Sequence, residues 1–359
     1  MIQIFREWAH RYFSNPQVVI LLLLLAAGGV VVLLLGKLLA PVIAAIVIAF
    51  LLDGMVEWLR RLKLPRMASV IVVFVFFVAF LLVIIVVLLP NISAQIGQLL
   101  QELPRMVAAG QKRLMALPDR YPDFVSEGQI RQLLEMVDAT MTTLAQKALS
   151  VSIASVRGII TLAIYLVLVP LLVFFFLKDK DKIMDWFRKF LPENRHMATE
   201  VWHEANQQVG NYVRGKVWEI LIVWGAAYLT FLWLDVPFAM LLSLFVGLSV
   251  IVPYIGATFM TFPLAVIAFL EWGWTSHFMY VMVAYGVLQT LDGNLLVPLL
   301  LSEVVNLHPV AIIVAVLIFG GWWGLWGLFF AIPLATLVHA VIKAWSHMRT
   351  ATQEADFPT

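Results

Sequence analysis

The chain of 359 residues contains no cysteine. Disulfides, thiolate metal sites and cysteine nucleophiles are therefore excluded. Charge is also scarce, because only 13% of residues are charged while 62% are hydrophobic, and mean hydropathy is +0.95. A formal net charge of +2, with no basic block containing interleaved aromatics, argues against nucleic acid as a partner. This composition is typical of a protein whose main partner is the lipid bilayer.

Lysine and arginine are absent from Val217 to Ile342, although this stretch keeps several acidic residues inside or beside apolar segments. These residues are Glu219, Asp235, Glu271, Asp292 and Glu303. A carboxylate within a bilayer costs about 2.5–3.5 kcal/mol on insertion scales. Without a nearby cation in sequence, such groups must meet water, backbone dipoles, a proton or a transported ion. The pattern indicates a transport pathway.

Long apolar runs predict an all-α, polytopic membrane protein with about seven or eight membrane segments. The first five runs are Gln17–Gly36, Leu38–Leu52, Ala68–Leu89, Val156–Leu177 and Val217–Leu234. We expect the chain to be organised as three amino-terminal membrane helices (1–89), an extracytoplasmic helical segment (90–155), a fourth membrane helix (156–177), a cytoplasmic interfacial helix (178–216), an apolar transport core with broken helices (217–342) and a cytoplasmic tail (343–359).

The distribution of basic residues predicts the orientation. Sixteen of the 24 Lys and Arg residues lie in 1–16, 53–67, 178–216 and the segment after 342. The positive-inside rule places all four segments on the cytoplasmic side. The amino terminus is therefore predicted to be cytoplasmic.

The polar segment 90–155 contains two apolar patterns with coiled-coil spacing. The first begins at Ile92, and the second consists of Ile130, Leu134, Val137, Met141, Leu144 and Ala148. Two interpretations are open. The two helices could pack on each other as a hairpin, or the second pattern could be a seam between subunits of a homo-oligomer.

Two interruptions break the apolar carboxyl-terminal half. In the first, Pro253, Tyr254 and Gly256 separate apolar stretches that are short for full spans. Broken helices are tolerated at membrane depth where the freed backbone faces protein or a water-filled cavity, and substrate sites are often built there. The segment 238–270 is either a re-entrant hairpin or two tilted spans.

The second interruption, Leu291–Pro309, is the leading candidate for the site. It contains Asp292, Asn294, Glu303 and Asn306. The alternative is that the Asp-Gly-Asn run forms a loop or a helix cap, since these residues favour turns. We interpret His308 as structural rather than as a proton carrier.

The motif GGWWGLWG contains Gly320, Gly324 and Gly327, for which we predict a role in close helix packing. No spacing suggests a metal site, and no cofactor is expected. The run GNYVRGK, 210–216, has the spacing of a phosphate loop. It lacks the following hydroxyl residue and the preceding strand, so it is not one. With no paired nucleophile and base either, an enzyme is not expected.

Several motifs resemble those of the autoinducer-2 exporter (AI-2E) family of bacterial membrane proteins, in particular its PerM permease branch. They are FFFLKDKD (174–181), NYVRGK (211–216), PYIGA (253–257), LDGNLLVP (291–298), SEVVNLHP (302–309) and FFAIPLATL (329–337). The resemblance implies a multi-pass bacterial inner-membrane protein that forms oligomers. In this family, some members export autoinducer-2 and others exchange sodium for protons.

The leading functional hypothesis is a gradient-driven transporter of a small neutral polar solute or a cation, with Asp292 and Glu303 as carriers of a proton or sodium ion. The lack of Lys and Arg in 217–342 argues against an anionic substrate. A membrane scaffold that binds partners through its polar segments is the alternative from another class. A channel is a third possibility.

Overall fold

In a computed structural model, the described residues are 16–115, 128, 163–189, 196–253, 255–301, 308–324 and 327–339. They form helices, and two π-helical turns lie within longer helices. The helices are α1 (Pro16–Arg61), α2 (Arg66–Val83), α3 (Leu89–Met115), α4 (Ala163–Lys178), α5 (Lys180–Arg188), α6 (His196–Trp233), α7 (Ala239–Ser249), α8 (Ile255–Trp272), α9 (Ser276–Leu291), α10 (Val297–Leu301), α11 (Pro309–Trp323) and α12 (Gly327–His339), with π1 (Ile84–Leu88) and π2 (Asp292–Leu296).

Within the described part of the chain, five helices are long and apolar enough to cross a membrane, and four shorter apolar helices accompany them. This confirms the predicted class of an all-α, polytopic membrane protein. The described residues divide into two compact units. The first unit falls within 1–76, 168–216 and 300–359, and the second within 77–167 and 217–299. The units are therefore interleaved along the sequence.

The amino-terminal region differs from the expected three helices. The runs Gln17–Gly36 and Leu38–Leu52 lie on one continuous helix, α1, of 46 residues. Gly36 ends the first run, Lys37 lies between the two, and Pro41 follows, yet α1 continues through all three residues. Lys37 is a good helix former, and the runs on both sides of it favour a helix. At 1.5 Å per residue α1 is about 69 Å long, roughly twice the thickness of a hydrocarbon core.

In the first unit, a tight turn joins α1 to α2, and Lys63 adopts a left-handed conformation there (φ 67°). Next to this turn, α5 is held by two ion pairs. Arg66 pairs with Asp181, and the Nζ of Lys180 lies 2.7 Å from the Oδ2 of Asp53. The turn and α5 therefore lie on the same side of the membrane, as the distribution of basic residues predicts.

Helix α6 corrects the predicted boundary at residue 216. We expected a separate interfacial helix over 178–216, whereas α6 runs unbroken from a polar first half into the membrane span Asn206–Trp233. The glycines do not break α6. A Cβ at Gly210 would lie 2.6 Å from the ring of Phe50, and one at Gly215 would lie 2.5 Å from the carbonyl oxygen of Leu300. They are sites of close packing in the first unit.

Helix α3 also differs from the expected separate extracytoplasmic hairpin. It continues directly from α2 through π1, and its apolar side packs into the hydrophobic core of the second unit. Met106 belongs to that core, and Ile92 and Leu99 pack against it. The first coiled-coil pattern therefore covers the core of its own chain. The second pattern, from Ile130 to Leu144, lies outside the described residues.

Candidate functional site

The first interruption forms a helical hairpin in the second unit. Its first leg, α7, has 11 residues and is about 16 Å long, which is too short to cross a hydrocarbon core. A Cβ on Gly256 would lie 1.8 Å from the carbonyl oxygen of Ser249. Only glycine therefore lets the first turn of α8 approach the end of α7 so closely. Pro253 lies in the connecting turn, and Tyr254 lies outside the described residues.

The hairpin is fixed at its other end by a residue that the sequence did not single out. Helix α7 begins after Phe238, which has φ 57° and offers no side-chain cap. Instead, the backbone N–H of Leu241 donates a hydrogen bond to the Oε1 of Gln95, from α3, at 2.9 Å. A side chain distant in sequence thus replaces a local cap.

Asp292, Gly293 and Asn294 lie within a continuous helix, so the interpretation of this run as a loop or a cap is wrong. Asp292 opens π2, and its carbonyl accepts the N–H of Val297, five residues ahead. The cause is Pro298, whose ring lacks an N–H and would clash with the carbonyl four residues earlier. The wider turn relieves that clash. A proline stands at the same position after π1, because Pro90 follows the last residue of π1, Leu88, by two residues, as Pro298 follows Leu296.

The Asp292 side chain lies on the buried face of this helix. Tyr285, Leu288 and Asp292 are spaced three and four residues apart and are all buried, with Asp292 7% exposed. Asn294 is exposed, and its Nδ2 donates to the carbonyl oxygen of Thr290 at 2.9 Å. The two predicted polar residues therefore point in different directions.

Tyr285 connects this face to the hairpin. Its hydroxyl donates a hydrogen bond of 2.8 Å to the carbonyl oxygen of Ala257, in the first turn of α8. Thr261 and Gln289 lie close to the same phenol. The result is a small buried polar cluster between the hairpin and the helix that carries the carboxylate. Tyr285 was not among the predicted site residues, although it lies seven residues before Asp292, on the same face of a helix.

Lys216, a buried charged residue on α6, was also missed, although Glu219 was named as an acid within an apolar segment. Lys216 is 2% exposed and Glu219 is 1% exposed, and both lie in the apolar span of α6. Residues three apart on a helix share a face. Lys216 lies directly before the stretch without Lys or Arg and three residues before Glu219.

The glycines predicted to pack helices, and His308, lie at or near the ends of α11 and α12. Gly320 and Gly327 lie where α11 meets α12, and a Cβ on Gly327 would lie 1.8 Å from the carbonyl oxygen of Phe319. Gly324 lies in the intervening turn with φ 59°, a conformation that favours glycine. His308 caps α11, because its Nδ1 accepts the N–H of Val310 at 3.3 Å.

Glu303 and Asn306 lie outside the described residues. In the described part of the chain, no group of three or more His, Asp or Glu side chains is arranged to hold a metal ion.

Comparison with known proteins agrees with this architecture. The family model of the AI-2E family transporter matches residues 20–347. The Escherichia coli (strain K12) protein named "Putative permease PerM" is 43% identical over 96% of this chain and 98% of its own length. The Bacillus subtilis (strain 168) protein named "Putative transport protein YueF" is 26% identical over 85% of this chain and 82% of its own length. This chain belongs to the AI-2E transporter family.

Proposed function

We propose that the protein is a gradient-driven secondary transporter that moves a small neutral polar solute, such as autoinducer-2, or exchanges a cation such as sodium for protons. The observation that carries the proposal is the buried carboxylate of Asp292, which lies in the π-helical turn π2 of an apolar helix. The preceding part of this helix packs against the hairpin of α7 and α8, where the apolar segment is interrupted. Intramembrane acids and interrupted helices are both features of transport sites.

The charge composition around Asp292 in sequence favours a proton or a cation at this residue. The segment of the second unit that contains Asp292, Val217–Leu299, holds no Lys or Arg, whereas the other segment, Phe77–Val167, does. A carboxylate that is ionised there needs a positive ligand or oriented dipoles, and otherwise it binds a proton. Alternate binding of a proton and a cation, or of a proton and a hydrogen-bonding solute, gives the carboxylate two charge states. That is the minimum that coupled transport requires.

We expect Asp292→Asn to abolish gradient-driven flux in proteoliposomes, because the amide can neither ionise nor release a proton. Flux of sodium and of autoinducer-2 would be measured under an imposed pH or sodium gradient. Asp235→Asn is the matched control. Asp235 is exposed in the turn after α6 and has φ 48°, a conformation that Asn tolerates well. The Asp235→Asn protein should therefore show the same flux as wild type. Undiminished flux in the Asp292→Asn protein would contradict the assignment.

We also propose that the turn between α1 and α2 lies in the cytoplasm. The absence of native cysteine allows a clean test with single-cysteine variants and a membrane-impermeant thiol reagent. We expect Lys63→Cys to react only after lysis, whereas Glu102→Cys in α3 should react in intact cells. Labelling with the opposite pattern would reverse the proposed orientation.

Ser14→Cys tests the amino terminus by the same method. Labelling only after lysis supports the cytoplasmic amino terminus that the distribution of basic residues predicts. Labelling in intact cells would instead indicate that α1 crosses the membrane once and that the amino terminus lies outside the cytoplasm.

We also propose that the chain binds a second copy of itself through residues 130–144. The coiled-coil spacing of the apolar residues in this segment supports the proposal.

A further inference from the structure

The hydroxyl of Tyr285 has a role that the proposed carboxylate site does not explain. Tyr285 lies in the middle of α9 and is 2% exposed, so its ring is fully packed. Its hydroxyl reaches α8 and donates to the carbonyl oxygen of Ala257 at 2.8 Å. This bond joins the helix that carries Asp292 to the first turn after the hairpin break.

The accepting carbonyl is unusual because a second side chain also uses it. The hydroxyl of Thr261 donates to the same Ala257 oxygen at 2.9 Å. The carbonyl therefore keeps a hydrogen-bond partner if the Tyr285 hydroxyl is removed. Loss of that hydroxyl leaves no unsatisfied buried acceptor, so the expected consequence is a change in position rather than a failure to fold.

Backbone hydrogen bonds hold the turn between the two legs of the hairpin. The N–H of Val252 donates to the carbonyl oxygen of Ser249 at 3.1 Å, and the N–H of Gly256 donates to that of Val252 at 3.0 Å. The first leg has 11 residues, and the residue at its amino-terminal cap, Phe238, forms no side-chain cap hydrogen bond. The legs touch through Gly256, which has no side chain. The hydrogen bond from Tyr285 joins α9 to the first turn of α8, just beyond that contact. Asp292 lies two helical turns further along the same buried face.

We propose that Tyr285 is a positioning residue, whose hydrogen bond to Ala257 holds the hairpin tip in the arrangement that Asp292 needs to bind its solute. The inference rests on the proposed function, in which Asp292 carries the solute or ion. Tyr285 acts on binding through the hairpin backbone, by keeping the binding-competent arrangement populated.

The test compares Tyr285→Phe with Tyr280→Phe. Tyr280 lies on the same helix but is 62% exposed, so it controls for the loss of one phenol hydroxyl from α9. The first readout is amide hydrogen exchange of the protein in lipid nanodiscs, without any solute. We expect faster exchange in Tyr285→Phe, confined to residues 255–261, and exchange like that of wild type in Tyr280→Phe. Unchanged exchange in Tyr285→Phe would overturn the proposal.

The second readout is radioactive sodium flux in proteoliposomes at varied sodium concentration. One net hydrogen bond corresponds to a change of about three- to tenfold in an equilibrium. We therefore expect the half-saturation concentration to rise by about that factor in Tyr285→Phe, with the maximal rate unchanged. A fall in maximal rate at constant half-saturation would contradict a positioning role.

Rescue distinguishes the hydrogen bond from the shape of the ring. Para-aminophenylalanine at position 285 keeps a donor at the end of the ring, so it should restore both exchange and half-saturation towards wild type. Failure of this rescue would count against the proposal. The two hypotheses can fail separately. Undiminished flux in Asp292→Asn would remove the proposed function and leave the exchange result intact, whereas unchanged exchange in Tyr285→Phe would remove only the positioning role.

Discussion

Replacing either Lys216 or Glu219 by an uncharged residue is expected to destabilise the protein by about 3–5 kcal/mol, because the remaining charge would be buried inside the protein with less compensation. Both side chains are almost fully buried on one face of α6. In the double variant Lys216→Met/Glu219→Gln, neither charge remains. Its loss should therefore be clearly smaller than the sum of the two single losses.

This prediction can be checked by denaturant titration of the four proteins of the cycle in micelles. The matched control is Arg60 and Glu57, which have the same spacing in α1, lie 3.0 Å apart and are exposed. That pair should contribute about 1 kcal/mol or less. If the loss of unfolding free energy in the double variant equals the sum of the two single losses, each charge is compensated by other groups. Lys216 and Glu219 would then not stabilise each other.

Gly256→Ala is expected to have the second large effect. The added methyl group would lie 1.8 Å from the carbonyl oxygen of Ser249, which is backbone and cannot rotate away. The two legs of the hairpin must then separate, at a cost of about 1–3 kcal/mol or more. Since the tip lies near the Asp292 helix, we expect flux to fall at least as far as in Tyr285→Phe.

Gly286→Ala is the matched control for this substitution. Gly286 lies on α9, and a Cβ there would meet no atom within 4 Å. Alanine is also the better helix former, so this variant should be as stable as wild type or up to about 1 kcal/mol more stable. Thermal unfolding and sodium flux would be measured for both variants. Equal stability of Gly256→Ala and wild type would mean that the legs are not in tight contact.

Hydropathy, basic-residue counts and motifs were sufficient to predict the helical membrane class, the family and the break at Pro253–Gly256. They were insufficient for helix continuity. Gly36 and Lys37 looked like a boundary, yet neither residue ends a helix when the flanking segments both favour one. The same holds between Lys216 and Val217, where a change in polarity was mistaken for a change in structure.

The site residues were predicted less well, for a physical reason. Asp292 was recognised because a carboxylate in an apolar segment is costly wherever it lies. Its neighbours come from packing, and packing depends on which face of each helix is buried. Asn294 is two residues away and lies on the exposed side, whereas Tyr285 is seven residues away and lies on the same side. Gln95 acts on α7 from 146 positions away, which local patterns do not reveal.

The interleaving of the two units has a consequence for biosynthesis. A chain synthesised as far as Leu299 already contains both segments of the second unit, but only two of the three segments of the first. The first unit starts at the amino end, yet it is completed last, when residues 300–339 emerge. At about 5–20 residues per second, this delay lasts roughly 2–8 s. During that time, the earlier segments of the first unit, which include α1, are present without α11 and α12.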